Sequence, residues 1–427
     1  MISKKQSAEC YVYVTLPGET EAVTAGRYEL TRGPGDQPVG RFVFGRRYLE
    51  RVNAVDLDPV ELKLGKGTFE TSGLRGLFGA LRDAGPDYWG RRVIERHVGG
   101  QFGELDYLLH SPDDRAGALG FGLNQTPPAP MRKFNKTIDL EKLQEIADTV
   151  IKDEIDNKTD AETQEQIQEL LLLGTSMGGA RPKAVVEDRD GLWLAKFNRP
   201  DDKWNAARVE RTMLVLARNC GLAVAESKIV TAGGRDVLLV KRFDREKTAK
   251  GYLRARMVSA LTLLRADDTV EGREKWSYVS LVEELRRASS EPRQDAHELF
   301  GRMCFNALIS NTDDHPRNHA MIAQERGWHL SPAYDLTPSP QVSRERRDLA
   351  MTCGDAGRYA NAANLLSQSA RFLLKVTEAE AIVAAMEERI KQTWYDVARG
   401  EGVSEADCER IKGAFVYPGF RLNGAPD

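Results

Sequence analysis

Asp313 and Asn318 stand five positions apart in Asn311-Thr312-Asp313-Asp314-His315-Pro316-Arg317-Asn318, and a third oxygen donor, Asp335, closes Ser331-Pro332-Ala333-Tyr334-Asp335. This is the order of a phosphoryl-transfer site. The first carboxylate takes the proton of a hydroxyl nucleophile, and the Asn and the later Asp hold the divalent ions that bridge the nucleotide phosphates. Asp313 is thus the candidate catalytic base, and Asn318 and Asp335 are candidate Mg²⁺ ligands. Asn and Asp also gather in ordinary turns, so the neighbouring pattern matters. The apolar run Met303-Cys304-Phe305-Asn306-Ala307-Leu308-Ile309 reads as a helix leading into a polar loop, and Gly327-Trp328-His329-Leu330 reads as a short strand before the Asp335 turn. A metal hydrolase is the rival chemistry, since His315 and His319 lie four apart beside Asp313 and Asp314. Pro316 argues for a loop where such a pair needs a helix, and the Glu of a His-Glu-x-x-His motif is absent.

Phosphoryl transfer also needs a phosphate cradle and a cation. Gly174-Thr175-Ser176-Met177-Gly178-Gly179-Ala180-Arg181-Pro182-Lys183 is a Gly-rich segment ahead of a hairpin, whose turn is expected at Asp190-Gly191. Small residues let backbone N–H groups approach an anion, although neither Walker A nor Gly-x-Gly-x-x-Gly is matched. Ser176, Met177, Gly178, Gly179, Ala180 and Lys183 are the candidate phosphate contacts. In the next strand, Leu192 to Phe197, a period of two puts Lys196 on the face of Leu192 and Leu194. A cation at the end of an apolar strand wants an anion, which in a kinase is an ATP phosphate. The helix expected from Asn205 to Gly221 carries Val209, Met213, Leu216 and Cys220 on one face, with Glu210 beside it as a candidate partner for Lys196. The apolar strand Asp236–Val240 then runs into Lys241-Arg242-Phe243-Asp244-Arg245. Val240, Lys241, Phe243 and Asp244 there are the expected adenine and ribose contacts.

These elements sit in a chain of 427 residues, 41% apolar and 29% charged, which is long enough for two or three domains. No apolar run is long enough to span a bilayer and no leader-like segment follows Met1, so a cytoplasmic protein without membrane contact is expected. Five scattered cysteines without a Cys-x-x-Cys pair indicate neither a disulfide framework nor a zinc knuckle. A net charge of −3 gives no sign of direct, sequence-independent nucleic-acid binding. Residues 1–125 read as β-rich, with strands at 10–16 and 39–44. The prolines of Gln125-Thr126-Pro127-Pro128-Ala129-Pro130 mark a linker. Residues 135–245 form the part with the phosphate loop, the Lys strand and the hinge, and 246–427 form a helical lobe. Trp89 is expected in the seam between the first part and the rest.

Six segments in order carry a resemblance over nearly the whole chain. They are Pro86-Asp87-Tyr88-Trp89-Gly90-Arg91, Asp113 to Leu119, Ser176 to Lys183, Arg242-Phe243-Asp244-Arg245, Thr312 to Asn318, and Ala333-Tyr334-Asp335. The chain resembles the HipA-type serine/threonine kinases, the toxins of HipBA-like toxin–antitoxin modules. The resemblance implies an α/β (α+β) fold with two protein-kinase-like lobes, an N-terminal β-rich subdomain and a helical C-terminal lobe, using ATP and Mg²⁺. It implies autophosphorylation of Ser176, Lys196 on a phosphate, Lys241 and Phe243 at the hinge, His315 near the nucleotide, Asp313 as base, and Asn318 with Asp335 on the metal. It further implies a HipB-like helix-turn-helix antitoxin, operator DNA reached through it, a translation-related substrate such as an aminoacyl-tRNA synthetase, and growth arrest with persistence. Asp314 stands where some members have Gly, and Lys241 where others have an acidic residue. The alternative is a catalytically silent kinase fold acting only as a co-repressor with its antitoxin. The intact Lys196, Asp313, Asn318 and Asp335 speak against that alternative.

Overall fold

A computed structural model describes residues 8–88, 90–91, 94–95, 102–130, 134–156, 181–340 and 343–422. Trp89 and the segment from Ser176 to Ala180 lie outside the described residues. The chain divides into two compact units, the first comprising residues 1–199, 241–258 and 322–328 and the second 200–240, 259–321 and 329–427. The first unit takes in residues on both sides of the proline segment.

The first unit begins with five strands: β1 (Ala8–Thr15), β2 (Ala22–Arg32), β3 (Pro38–Phe44), β4 (Thr68–Thr71) and β5 (Leu119–Gly122). They form an antiparallel sheet in the order β4-β3-β2-β1-β5. Aromatic and β-branched residues suit these pleated positions, and Val12, Val14, Tyr28 and Phe42 are fully buried. Helix α1 (Glu104–His110) packs on β1 and β5. A second group of strands in this unit is β6 (Asn135–Lys136), β7 (Lys183–Asp188) and β8 (Gly191–Phe197), with β6 parallel and β8 antiparallel to β7. Helix α2 (Leu140–Asp156) lies on this group and buries Leu140, Leu143 and Ala147.

The β7–β8 turn differs by one residue from the sequence expectation. Asp188 pairs with Gly191, so the loop residues are Arg189 and Asp190. The reason lies in Asp188, whose Oδ1 accepts from the Asp190 backbone N–H and from Trp193 Nε1, both at 2.8 Å. Gly191 then opens β8 at φ 130°, a conformation that side chains rarely adopt.

A buried carboxyl in this unit gives a pH-dependent stability. Asp58 is fully buried, and burial pushes its carboxyl up to about 6 against the pull of the Glu61, Val60 and Leu62 backbone N–H groups. Its second oxygen has no hydrogen-bond partner. A folded-state value above the unfolded one favours the protonated form on folding, so stability falls as pH rises from about 4 through about 6. The difference between the buried and the ordinary carboxyl corresponds to about 3 kcal/mol. Asp58→Asn keeps one carbonyl acceptor for those N–H groups and cannot ionise. It should flatten this part of the pH profile and melt at or above the wild-type temperature near neutrality. Thermal denaturation between pH 4 and pH 8 checks this, and an unchanged profile would contradict it.

In the second unit, α3 (Ala206–Asn219) starts where the sequence places it, with Asn205 Oδ1 accepting from the Arg208 backbone N–H at 3.2 Å. Such a cap satisfies one of the donors a helix start leaves open. Val209, Met213 and Leu216 are buried on one face, and Gly221 follows at φ 87°. Strands β9 (Ser227–Ala232) and β10 (Arg235–Lys241) form an antiparallel hairpin. Arg208 ties α3 to this hairpin through Asp236, with bonds of 2.6 and 2.9 Å. Helices α4 (Tyr278–Ala288), α5 (Pro292–Leu308) and α6 (Val376–Gly400) make the helical body, and α5 buries Phe300, Met303, Cys304, Phe305 and Leu308 completely.

Candidate active site

Helix α5 ends at Leu308, and the chain leaves it through Ser310 in a left-handed conformation, φ 53°. The following loop carries Asp313 and Asn318. It is a compact turn in which His315 N–H donates to Asp313 O at 2.8 Å and Asn318 N–H donates to His315 O at 2.9 Å. The Asn318 side-chain amide reaches the same Asp313 carbonyl at 3.5 Å. Pro316 opens a single 3₁₀ turn ending at Asn318, as the sequence indicates by placing Pro inside the motif. His315 and His319 therefore do not share a helical face. Among the described residues no group of three or more His, Cys, Asp or Glu side chains is arranged to hold a metal.

Asp335 belongs to the same unit, in a turn anchored by backbone bonds from Ala225 to Ala333 and from Ala333 to Ala223, at 2.9 and 2.8 Å. Its φ of 58° is left-handed. Asp tolerates this region better than most side chains, and such residues gather at functional sites. Tyr334 OH donates to Arg317 O at 2.7 Å, so the turn is fastened to the loop that bears Asn318.

The electrostatics connect the two segments. Asp313 is exposed, yet the surrounding protein atoms still cost its ionised form hydration, which is the largest influence raising its carboxyl above the usual range. The charges of Asp335 and Asp314 push the same way, while His315 and Arg273 pull it down. Carboxylates whose charges oppose the ionisation of Asp313 thus come from both segments. His315 is half-buried, its ring edge against Trp276 at 6.2 Å between centroids, and its Nδ1 is buried without a partner. Arg317 pairs with Asp268 at 2.8 Å. Nothing in the sequence pattern points to Trp276, Arg273 or Asp268, because their roles come from folding back onto the loop.

The other candidates divide between the units. Val240 and Glu210 are buried in the second unit, Val240 pairing with Ser227 across the hairpin. Lys183, Lys196, Lys241, Phe243 and Asp244 belong to the first. Lys196 is half-buried in β8, opposite Lys183 in register. Lys183 is buried, and its ammonium lies 2.7 Å from Asp87 Oδ2, itself buried. Its charge is thus matched by a carboxylate from the Pro-Asp-x-Trp-Gly-Arg segment. The Lys241 ammonium stands over the Trp193 ring at 5.7 Å.

Asp244, expected among the nucleotide contacts, is instead enclosed by protein. Its carboxylate takes Arg242 Nε and a terminal guanidinium nitrogen at 3.0 and 2.8 Å, Arg245 at 2.7 Å and the Gly117 backbone N–H at 2.9 Å. Arg242 and Arg245 also donate to the carbonyls of Asp114, Arg115 and Gly117. Two of the six signature segments, Asp113 to Leu119 and Arg242 to Arg245, are therefore one buried ionic junction.

The family model described as HipA-like C-terminal domain matches residues 175–394. The chain belongs to the HipA-like family. The solved structure of HipA from Shewanella oneidensis, in a toxin–antitoxin complex with HipB and operator DNA, superposes on it with a TM-score of 0.67. At 18% identity that match covers 94% of each chain, and it shows the fold to be the mixed α/β fold of HipA. Among curated proteins, "Putative kinase Y4mE" of Sinorhizobium fredii is 29% identical over 164 residues, 38% of this chain and 38% of its own. A "Putative kinase" of Haemophilus influenzae is 22% identical over 189 residues, 40% of this chain and 55% of its own. Both alignments span well under two thirds of those relatives. Among the described residues, no helix of this HipA-like chain is long and apolar enough to cross a membrane.

Proposed function

We propose that this HipA-like chain is an ATP- and Mg²⁺-dependent serine/threonine-protein kinase of the toxin type. The observation that carries the proposal is the fastening of the Asp335 turn to the loop of Asp313 and Asn318 by the Tyr334 OH bond to Arg317 O, with the Asp313 carboxyl raised by lost hydration and by its acidic neighbours. A base whose pKa lies above the ordinary carboxylate value is better suited to take a hydroxyl proton. The Asn318 amide oxygen and the Asp335 carboxylate suit Mg²⁺, which prefers hard oxygen ligands and retains waters and phosphate oxygens. When bound, Mg²⁺ supplies charge neutralisation for the nucleotide phosphates. Asp313 would orient the acceptor hydroxyl and take its proton, and Lys196 is the proposed contact for a phosphate oxygen. Val240, Lys241 and Phe243 would border the adenine.

The substrate would be a translation-related protein such as an aminoacyl-tRNA synthetase. The partner would be a HipB-like helix-turn-helix antitoxin, as in the Shewanella oneidensis complex, and would bring the pair to operator DNA. Incubating the purified chain with labelled ATP and cell lysate, with and without Mg²⁺, tests the reading. A labelled protein band that depends on Mg²⁺ supports it, and no transfer to any protein sinks it.

Ser176 is the proposed site of self-modification. A phosphate of roughly −2 charge there would compete with the nucleotide's own phosphates, so the product should bind ATP poorly. Mass spectrometry after prolonged incubation with Mg²⁺ and ATP should find Ser176 phosphorylated, with nucleotide affinity reduced at least tenfold. An unmodified Ser176, or full affinity in the phosphorylated form, would refute this.

A further inference from the structure

Besides the backbone bonds that run from Asn318 through His315 to Asp313, the loop is closed by a buried side-chain bond. Asp314 follows the base directly, and His319 follows Asn318 directly. His319 Nε2 lies 2.8 Å from Asp314 Oδ2, forming a cross-link between the residues that directly follow each working group. The same oxygen accepts from Tyr278 OH, at the first position of α4. Asn306 Nδ2 on α5 donates to that hydroxyl at 3.2 Å, and Asn311 Nδ2 donates to Asn306 Oδ1 at 3.1 Å. On the far side, the Ala260 backbone N–H donates to His319 O at 2.8 Å. Asp314, His319, Tyr278, Asn306 and Asn311 are all buried, none more than 2% exposed. His319 Nδ1 and Asn311 Oδ1 are buried without a partner, but each bond that the chain does make would leave a further uncompensated donor or acceptor if broken.

We propose that Asp314 is the positioning residue of this active site, setting the placement of Asp313 relative to Asn318 through His319 and fixing both to α4 through Tyr278. The inference rests on the assignment of Asp313 and Asn318 as base and metal ligand. Asp314 touches neither substrate nor metal in this scheme. Its contribution is to hold the two working groups in a reactive geometry, where a displacement of about 1 Å costs on the order of 10²-fold in rate.

The test compares Asp314→Asn, Tyr278→Phe, the double variant and Asp313→Asn in the full chain, measuring phosphoryl-transfer kcat, KM for ATP, and the melting temperature. Tyr278→Phe removes one hydroxyl from a buried ring and keeps the packing, so it remains informative where Asp314→Asn fails to fold. Each single variant should lower kcat about tenfold or more with KM for ATP within twofold of wild type. The double variant should be little worse than the poorer single one, since both act through one carboxylate. A kcat within twofold of wild type for Tyr278→Phe and for any folded Asp314→Asn, beside an inactive Asp313→Asn, overturns the positioning role alone. So does a loss that appears only in KM or scales with melting temperature. An active Asp313→Asn overturns the underlying assignment and this inference with it.

Discussion

Asp313→Asn should lower phosphoryl transfer by about 10²–10⁴-fold, the usual contribution of a positioned acid or base, while nucleotide binding stays near wild type. The substitution is nearly isosteric. The Asp313 backbone carbonyl, which accepts from His315 N–H, is untouched, so the turn should keep its form. What changes is the proposed acceptor for the hydroxyl proton and one of the charges that oppose each other there. Removing a charge next to Asp335 should leave metal-linked nucleotide affinity unharmed. Asp335→Asn should instead weaken it if Asp335 is the metal donor proposed above, because the variant then alters that donor. Rates with labelled ATP, set beside calorimetric titration of nucleotide with and without Mg²⁺, separate the two effects. An Asp313→Asn chain that still labels protein within about threefold of the wild-type rate would remove the loop from the catalytic assignment.

The parts legible in the sequence are those whose logic is local. Asp313 and Asn318 lie in one turn, so their spacing is visible in the chain, and Pro316 shows that the turn is not an α-helix. Asn205 before an apolar repeat and Gly221 after it bound α3 by rules that act within a few residues. The parts that were not legible depend on distant partners. Lys183 follows a Gly-rich segment and reads as a phosphate ligand. Its ammonium is nevertheless beside Asp87, 96 positions earlier, and no periodicity links the two. Arg242-Phe243-Asp244-Arg245 reads as a polar turn after a buried strand because composition cannot tell a solvated charge from a buried, paired one. Asp314 reads as a second acidic residue beside the base, whereas its burial and its bonds to Tyr278 and His319 depend on how α4 and the loop meet.

That buried junction sets the second large expectation. Asp244→Ala should destabilise the first unit by about 3–5 kcal/mol, the cost of removing one member of a buried ion pair and leaving its partner uncompensated. Burial by itself would push the Asp244 carboxyl up, but the Arg242 and Arg245 guanidiniums outweigh it and hold the group well below the usual carboxylate range. Both arginines are buried as well, 2% and 9% exposed, so neither can turn to water when the carboxylate is gone. The Gly117 backbone N–H loses its acceptor too. It sits at φ 76°, and a Cβ there would meet Met257 N at 3.2 Å, so this segment has little room to rearrange. For a domain of this size the loss corresponds to a fall in melting temperature of roughly 6–20 °C. Asp244→Asn should fall less far, since the amide oxygen still accepts one bond while the charge is lost. The competing expectation, a nucleotide-facing Asp244, makes the opposite prediction: ATP affinity would drop while the melting temperature held. Thermal denaturation of the nucleotide-free chain decides between them, and an Asp244→Ala protein that melts within about 2 °C of wild type would mean that Arg242 and Arg245 find their compensation elsewhere.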